Sequence, residues 1–100
     1  MSIMVAGTVR IPPDKMEAAR PHMLEVMAAN RMEDGCVTFS YAEELGDPGL
    51  IRVFEIWRDQ AALSAHGKSA HVTRWRALWP ELGVSDRQLV VYEIATERAL

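Results

Sequence analysis

Eight residues, Ile51 to Arg58 (I-R-V-F-E-I-W-R), constrain this chain more than any other stretch. Successive side chains of a strand point to opposite faces, which sets Ile51, Val53, Glu55 and Trp57 against Arg52, Phe54, Ile56 and Arg58. Both faces are largely apolar, and a glutamate sits in the middle of one. A carboxylate within an apolar strand costs free energy unless it is paired or protonated, so Glu55 is expected to have a specific partner. Arg52, Arg58, Arg10 or an arginine of a second copy would serve, as they would for Glu93. Asp59 then reads as a helix N-cap, Gln60-Ala61-Ala62-Leu63 as a short helix and Gly67 as its stop. Ser69 can cap a second helix that starts near His71. Strand, helix, glycine break and helix together bring His66, His71 and Trp57 toward Glu55.

The flanking segments supply the other elements. Ile3 to Arg10 is rich in β-branched residues and stops at Pro12-Pro13, and Gly7 in its middle signals a bulge or a close backbone approach. Asp14 with Glu17 forms a capping-box pattern, and Met16, Ala19, Met23, Val26 and Met27 recur at helical spacing. Pro21 interrupts that pattern and predicts a kink or a split. Glu33-Asp34-Gly35 ends the helix and turns the chain. Cys36 to Glu44 alternates as a strand, and Gly46-Asp47-Pro48-Gly49 predicts an antiparallel hairpin to the strand from Ile51. Val72, Trp75, Leu78 and Trp79 make a second helical stripe that Pro80 ends, and Gln88 to Thr96 is the last strand, apolar on both faces with Glu93 inside it.

This order, β-α-β-β-α-β, is the split β-α-β arrangement of an α+β, ferredoxin-like fold with a four-stranded antiparallel sheet. Two helices cover only one face of such a sheet. The other face is apolar in the third and fourth strands, so the sequence predicts a homodimer packed sheet to sheet. One hundred residues suit a single domain, 1–100. A net charge of −3 without any cluster of basic residues argues against nucleic-acid or anionic-membrane partners. One cysteine, Cys36, excludes an internal disulfide and suits an inert buried thiol in a reducing cytoplasm. No signal-peptide pattern or membrane-length apolar run is present, which makes a cytoplasmic location the expectation.

Several motifs in register resemble the antibiotic biosynthesis monooxygenase family of small dimeric α/β-barrel proteins, which includes cofactor-independent quinol monooxygenases. They are Asp34-Gly35-Cys36 leading to Phe39-Ser40-Tyr41, Asp47-Pro48-Gly49, Phe54-Glu55-Ile56-Trp57 with Asp59, and Ala61 to His66 followed by Ser69 and His71. The resemblance runs from Ile3 to about Thr96. It implies a ligand cavity between sheet and helices, with Tyr41, Glu55, Trp57, His66, His71, Trp75 and Trp79 as candidates for its wall. It also implies oxidation of a small aromatic quinol or phenol by O2 with no cofactor: a base deprotonates the substrate, whose anion passes an electron to O2. Histidine suits the base, because its pKa lies near neutrality. The haem-degrading branch of the family is disfavoured. Ala6-Gly7-Thr8 stands where that branch has an asparagine, His66 where it has a tryptophan, and Arg76 where it has a haem-ligating histidine.

Each candidate also has a plainer role. His66 suits a helix C-cap favoured by the helix dipole, whereas His71, in a first helical turn, is expected to be neutral and therefore the better base. His22 is expected to face solvent. The tryptophans suit core filling, with only one needed at the cavity. A metal site of His66, His71 and Glu55 is disfavoured, because His-x4-His across a glycine break is not the one-face spacing of a helix. Two functions stay open: a cofactor-independent monooxygenase, or a dimeric module that binds an apolar ligand without catalysis.

Overall fold

A computed structural model describes all 100 residues. Strand β1 (Ser2–Arg10) leads through a single 3-10 turn to helix α1 (Met16–Arg31), and a hairpin of β2 (Cys36–Glu43) and β3 (Leu50–Trp57) follows. Helices α2 (Gln60–Gly67), α3 (Ala70–Ala77) and the one-turn α4 (Trp79–Leu82) lead into β4 (Ser85–Ile94). The strands form one antiparallel sheet in the order β2-β3-β1-β4. This is the ferredoxin-like α+β architecture expected from the order of elements, with the second helix divided into three pieces.

Register fixes which residues face the helices. Val5 lies opposite Glu55 on one side and Val91 on the other, and Ile3 opposite Trp57 and Glu93. Odd-numbered residues of β1 and β3 therefore point at the helices, and Ile3, Val5, Val9, Ile51, Val53 and Trp57 are buried there. Helix α1 meets them with Met16, Ala19, Met23, Val26 and Asn30, spaced three and four residues apart as one helical stripe requires. Beneath the hairpin, Phe39, Trp57, Ile3 and Ala62 form a second, smaller cluster. Gly7 confirms the close approach: a Cβ there would sit 1.9 Å from the Gln88 carbonyl oxygen. The β1–β4 register also slips between Thr8 and Arg10.

Local expectations meet mixed outcomes. Asp59 and Ser69 cap α2 and α3, accepting from the Ala62 and Val72 amides at 2.9 and 3.4 Å. Asp14 does not form a capping box with Glu17; it lies in the 3-10 turn, and α1 starts uncapped after Lys15. Helix α1 is not split at Pro21. That residue is on the exposed face, where water satisfies the carbonyl a turn earlier that the proline cannot. Gly67 is the last helical residue of α2 and not a left-handed stop; that conformation closes α4 instead, at Gly83 (φ 72°). Strand β4 begins three residues earlier than expected and ends two earlier, and Glu93, near its far end, is exposed.

Even-numbered residues make the opposite face. Ala6 pairs with Phe54 and Val90, and Met4 with Ile56 and Tyr92, so an apolar patch crosses three strands. Nothing in the chain covers it: Phe54 is 42% exposed, Tyr92 46% and Val90 51%.

Candidate functional site

Between the sheet and helices α1, α3 and α4 lies a cavity of about 40 Å³, large enough for a few water molecules. Its wall is mostly apolar and aromatic, with Phe39, Tyr41, Val53, Trp75 and Trp79 among the side chains. Polar groups reach it from five other residues: Glu55, His66, Asn30, Arg76 and Arg87.

His66 is the best-defined group of the site. It sits in the last turn of α2, yet its side chain turns inward and is buried, so it does not cap the helix; the Ser69 hydroxyl bonds the His66 carbonyl instead, at 2.8 Å. Its ring lies tilted against Trp57 with centroids 4.6 Å apart, and Phe39 lies 5.7 Å away. Nδ1 meets Glu33 Oε2 at 2.6 Å. An ionised carboxylate only accepts, so Nδ1 is the donor in this contact, and Nε2 has no partner in the protein. His71 comes to the same carboxylate oxygen from α3, with Nε2 at 3.2 Å from Glu33 and 3.3 Å from the Ser69 hydroxyl. The structure does not bring His71 to the cavity wall; it borders an outer groove between α1 and α3. Of the two histidines, only His66 reaches the chamber.

The sequence places Glu33 in a turn and gives it no further role. Its side chain is 15% exposed and gathers both histidines. One oxygen or nitrogen from each of Glu33, His66 and His71 lies within 4.8 Å of the others, so this trio, and not one built on Glu55, is the set that could hold a metal. Its spacing suits a proton better. Two atoms 2.6 Å apart would subtend only about 80° at an ion about 2.0 Å from each, well short of a tetrahedral angle.

Glu55 is buried, but its partner is not an arginine: Trp57 Nε1 donates to its Oε1 at 2.9 Å. Arg10, Arg52 and Arg58 are engaged by Asp47, Glu44 and Asp34. Burial pushes the Glu55 carboxyl above its ordinary range, and the hydrogen bond from Trp57 offsets part of the shift. Trp57 itself is fully buried core and does not border the cavity. Tyr41 accepts a hydrogen bond from Trp75 Nε1 at 3.2 Å, which leaves its own O–H free to donate. Burial raises its pKa to about 12, so it stays a neutral donor at any ordinary pH.

Sequence reasoning also missed Asn30, Arg76 and Arg87. Asn30 is 1% exposed and its Oδ1 has no hydrogen-bond partner; Trp79 Nε1 is likewise buried and unpartnered. Two orphaned polar atoms in one small cavity are a departure from the rule that buried polar groups are paired. A polar residue within the apolar stripe of α1 was the signal available for Asn30.

A ferredoxin-like sheet with an aromatic cavity beneath its helices defines a class of small α+β proteins, and comparison narrows it. The sequence profile of antibiotic biosynthesis monooxygenases matches residues 2–78, and the chain belongs to that family. A Synechocystis protein of uncharacterised function is 29% identical over 98 residues, covering 98% of this chain and 67% of its own. The crystal structure of a Deinococcus radiodurans protein, provisionally assigned as an antibiotic biosynthesis monooxygenase, superposes with a TM-score of 0.89 at 25% identity, covering 100% of this chain and 98% of its own. Rv0793 of Mycobacterium tuberculosis superposes with a TM-score of 0.78 at 27% identity over 99% and 98% of the two chains.

Proposed function

We propose that this chain is a cofactor-independent monooxygenase that oxidises a small aromatic quinol or phenol with O2. The observation that carries the reading is His66, whose Nδ1 is tied to Glu33 at 2.6 Å while its unpartnered Nε2 belongs to a ring in the wall of an aromatic cavity. Nε2 removes the hydroxyl proton, the Tyr41 O–H stabilises the oxyanion, and Glu33 stabilises the resulting imidazolium. The substrate anion passes one electron to O2, and the radical pair couples to form a C–O bond. The resulting peroxide anion takes the proton from His66 to give a hydroperoxide, which then loses water. One oxygen atom stays on the ring and the other leaves as water, so a quinol plus O2 becomes a hydroxyquinone plus H2O.

The cavity of about 40 Å³ is smaller than an aromatic ring. Access therefore requires the half-buried Trp79 and the exposed Arg76 and Arg87 beside it to swing outward. The same reading includes a homodimer joined through the apolar face of Met4, Ala6, Phe54, Ile56, Val90 and Tyr92, for which nothing within the chain provides cover. No helix is long and apolar enough to cross a membrane, and the free Cys36 suits a reducing cytoplasm.

The test is O2 uptake by the purified protein with a panel of hydroquinones and anthrone-type phenols, beside the variant His66→Ala. Uptake above the spontaneous rate, reduced about 10²-fold or more in the variant, is expected. Spontaneous rates with every compound, or an unimpaired variant, would refute the enzyme, and a compound bound but never consumed would establish the binding module instead.

A further inference from the structure

Where α3, α4 and β4 meet at the cavity, three side chains form a cluster that the proposed chemistry leaves unused. The Trp79 ring has the Arg76 guanidinium carbon 5.8 Å from its centroid and that of Arg87 at 5.9 Å. Trp79 Nε1 is buried, is a donor only, and finds no acceptor. Neither arginine has a carboxylate within 4.0 Å, whereas Arg10, Arg20, Arg52 and Arg58 all do. The acidic neighbours in sequence, Glu81 and Asp86, form no ion pair with them. Both arginines border the cavity, and their positive fields reach Tyr41, with that of Arg87 also reaching Glu55.

Two unpaired cations and an orphaned N–H at one place make a donor set without an acceptor. Guanidinium groups match the planar geometry of a carboxylate, and an indole N–H adds a directional third bond. We infer that Arg76, Arg87 and the Trp79 N–H form a subsite for a carboxylate carried by the aromatic substrate, which makes that substrate a hydroxyaryl carboxylic acid. This inference rests on the aromatic-substrate reading above and narrows its class. Docking the carboxylate also supplies the force that moves Trp79: the indole N–H leaves a site where it has no partner and gains one. The ring that follows the carboxylate inward then meets Tyr41, Trp75 and His66.

Isothermal calorimetry of the intact protein with 1-hydroxy-2-naphthoate, its methyl ester and 1-naphthol tests the subsite without turnover. The acid is expected to bind at least tenfold more tightly than the ester, with an advantage that shrinks as salt rises. Arg76→Met and Arg87→Met should each cut the advantage, and the double variant should abolish it. Trp79→Phe keeps the aromatic body and should weaken the acid more than the ester. Equal affinities for acid and ester, an advantage that survives in the double variant, or no binding by any of the three would overturn the inference. Inorganic phosphate binding as tightly as the acid would also overturn it, since the subsite would then read charge without a ring. Oxidation of neutral quinols with no preference for acids would sink this subsite and leave the monooxygenase intact. Tight acid binding with no oxidation of any compound would do the reverse.

Discussion

Glu33→Gln is the substitution that separates an organised base from a buried histidine with a convenient neighbour. In the parent, one carboxylate oxygen accepts from His66 at 2.6 Å and from His71 at 3.2 Å, in surroundings that are mostly dry. A hydrogen bond to a charged group contributes about 1.5–3 kcal/mol, and glutamine keeps one acceptor, so a net loss of about 2 kcal/mol is expected. For a domain of this size each kcal/mol shifts the unfolding midpoint by about 4–8 °C, so the variant should melt about 10 °C lower. The chemical effect should be larger than the structural one. The new amide can donate to Nδ1, which moves the ring proton to Nε2 and takes away the lone pair that the proposed base requires. Turnover should fall by about 10²–10⁴, the usual contribution of a positioned base, while ligand affinity changes little. Nitrogen-15 NMR of labelled histidine reads the tautomer with no substrate present. The parent should show His66 protonated on Nδ1 and the variant should shift toward Nε2. A parent ring already protonated on Nε2 would refute the reasoning. So would a variant that melts lower yet turns over at the parental rate.

Other expectations follow from the same geometry. Glu55→Gln keeps an acceptor for Trp57 and removes the charge. Because burial raises the Glu55 pKa in the folded state, ionisation of this group disfavours folding, and the stability it lends is full at low pH and lost as pH climbs through the raised value. The variant should therefore match the parent in urea unfolding at pH 4 and exceed it at pH 8; a parent that is more stable at pH 8 would contradict this. Phe54→Arg places a charge in the centre of the uncovered sheet face and should convert a dimer to a monomer in light scattering at micromolar concentration, and an undisturbed dimer would place the interface elsewhere. Gly7→Ala drives a methyl to 1.9 Å from the Gln88 carbonyl oxygen and should cost about 3 kcal/mol or more in urea unfolding, since the β4 backbone must move away.

Some parts of the site were readable before folding and others were not. The wall candidates came from the family resemblance, and five of the seven, Tyr41, Glu55, His66, Trp75 and Trp79, border the cavity. Trp57 and His71 failed to reach it for local reasons: Trp57 stands under α2 as core, and His71 faces the junction of α1 and α3. The expected arginine partner for Glu55 was already at odds with parity. Arg52 and Arg58 are an odd number of residues from Glu55 along one strand and so emerge on the opposite face.

What the linear chain determined by itself was the set of elements and the faces they must bury, because alternation and helical periodicity are local properties and each apolar face has to find cover. It settled the hairpin at Asp47-Pro48-Gly49, the caps at Asp59 and Ser69, and the apolar excess of the sheet. Only the tertiary structure decided which carboxylate holds the histidines. Glu33 and His66 are 33 residues apart, and Glu33 and His71 are 38. No spacing rule links a turn after α1 to side chains on α2 and α3. The contact exists because the helices pack on one side of the sheet and converge at one end of it, which is a property of the assembled layers and of no single segment.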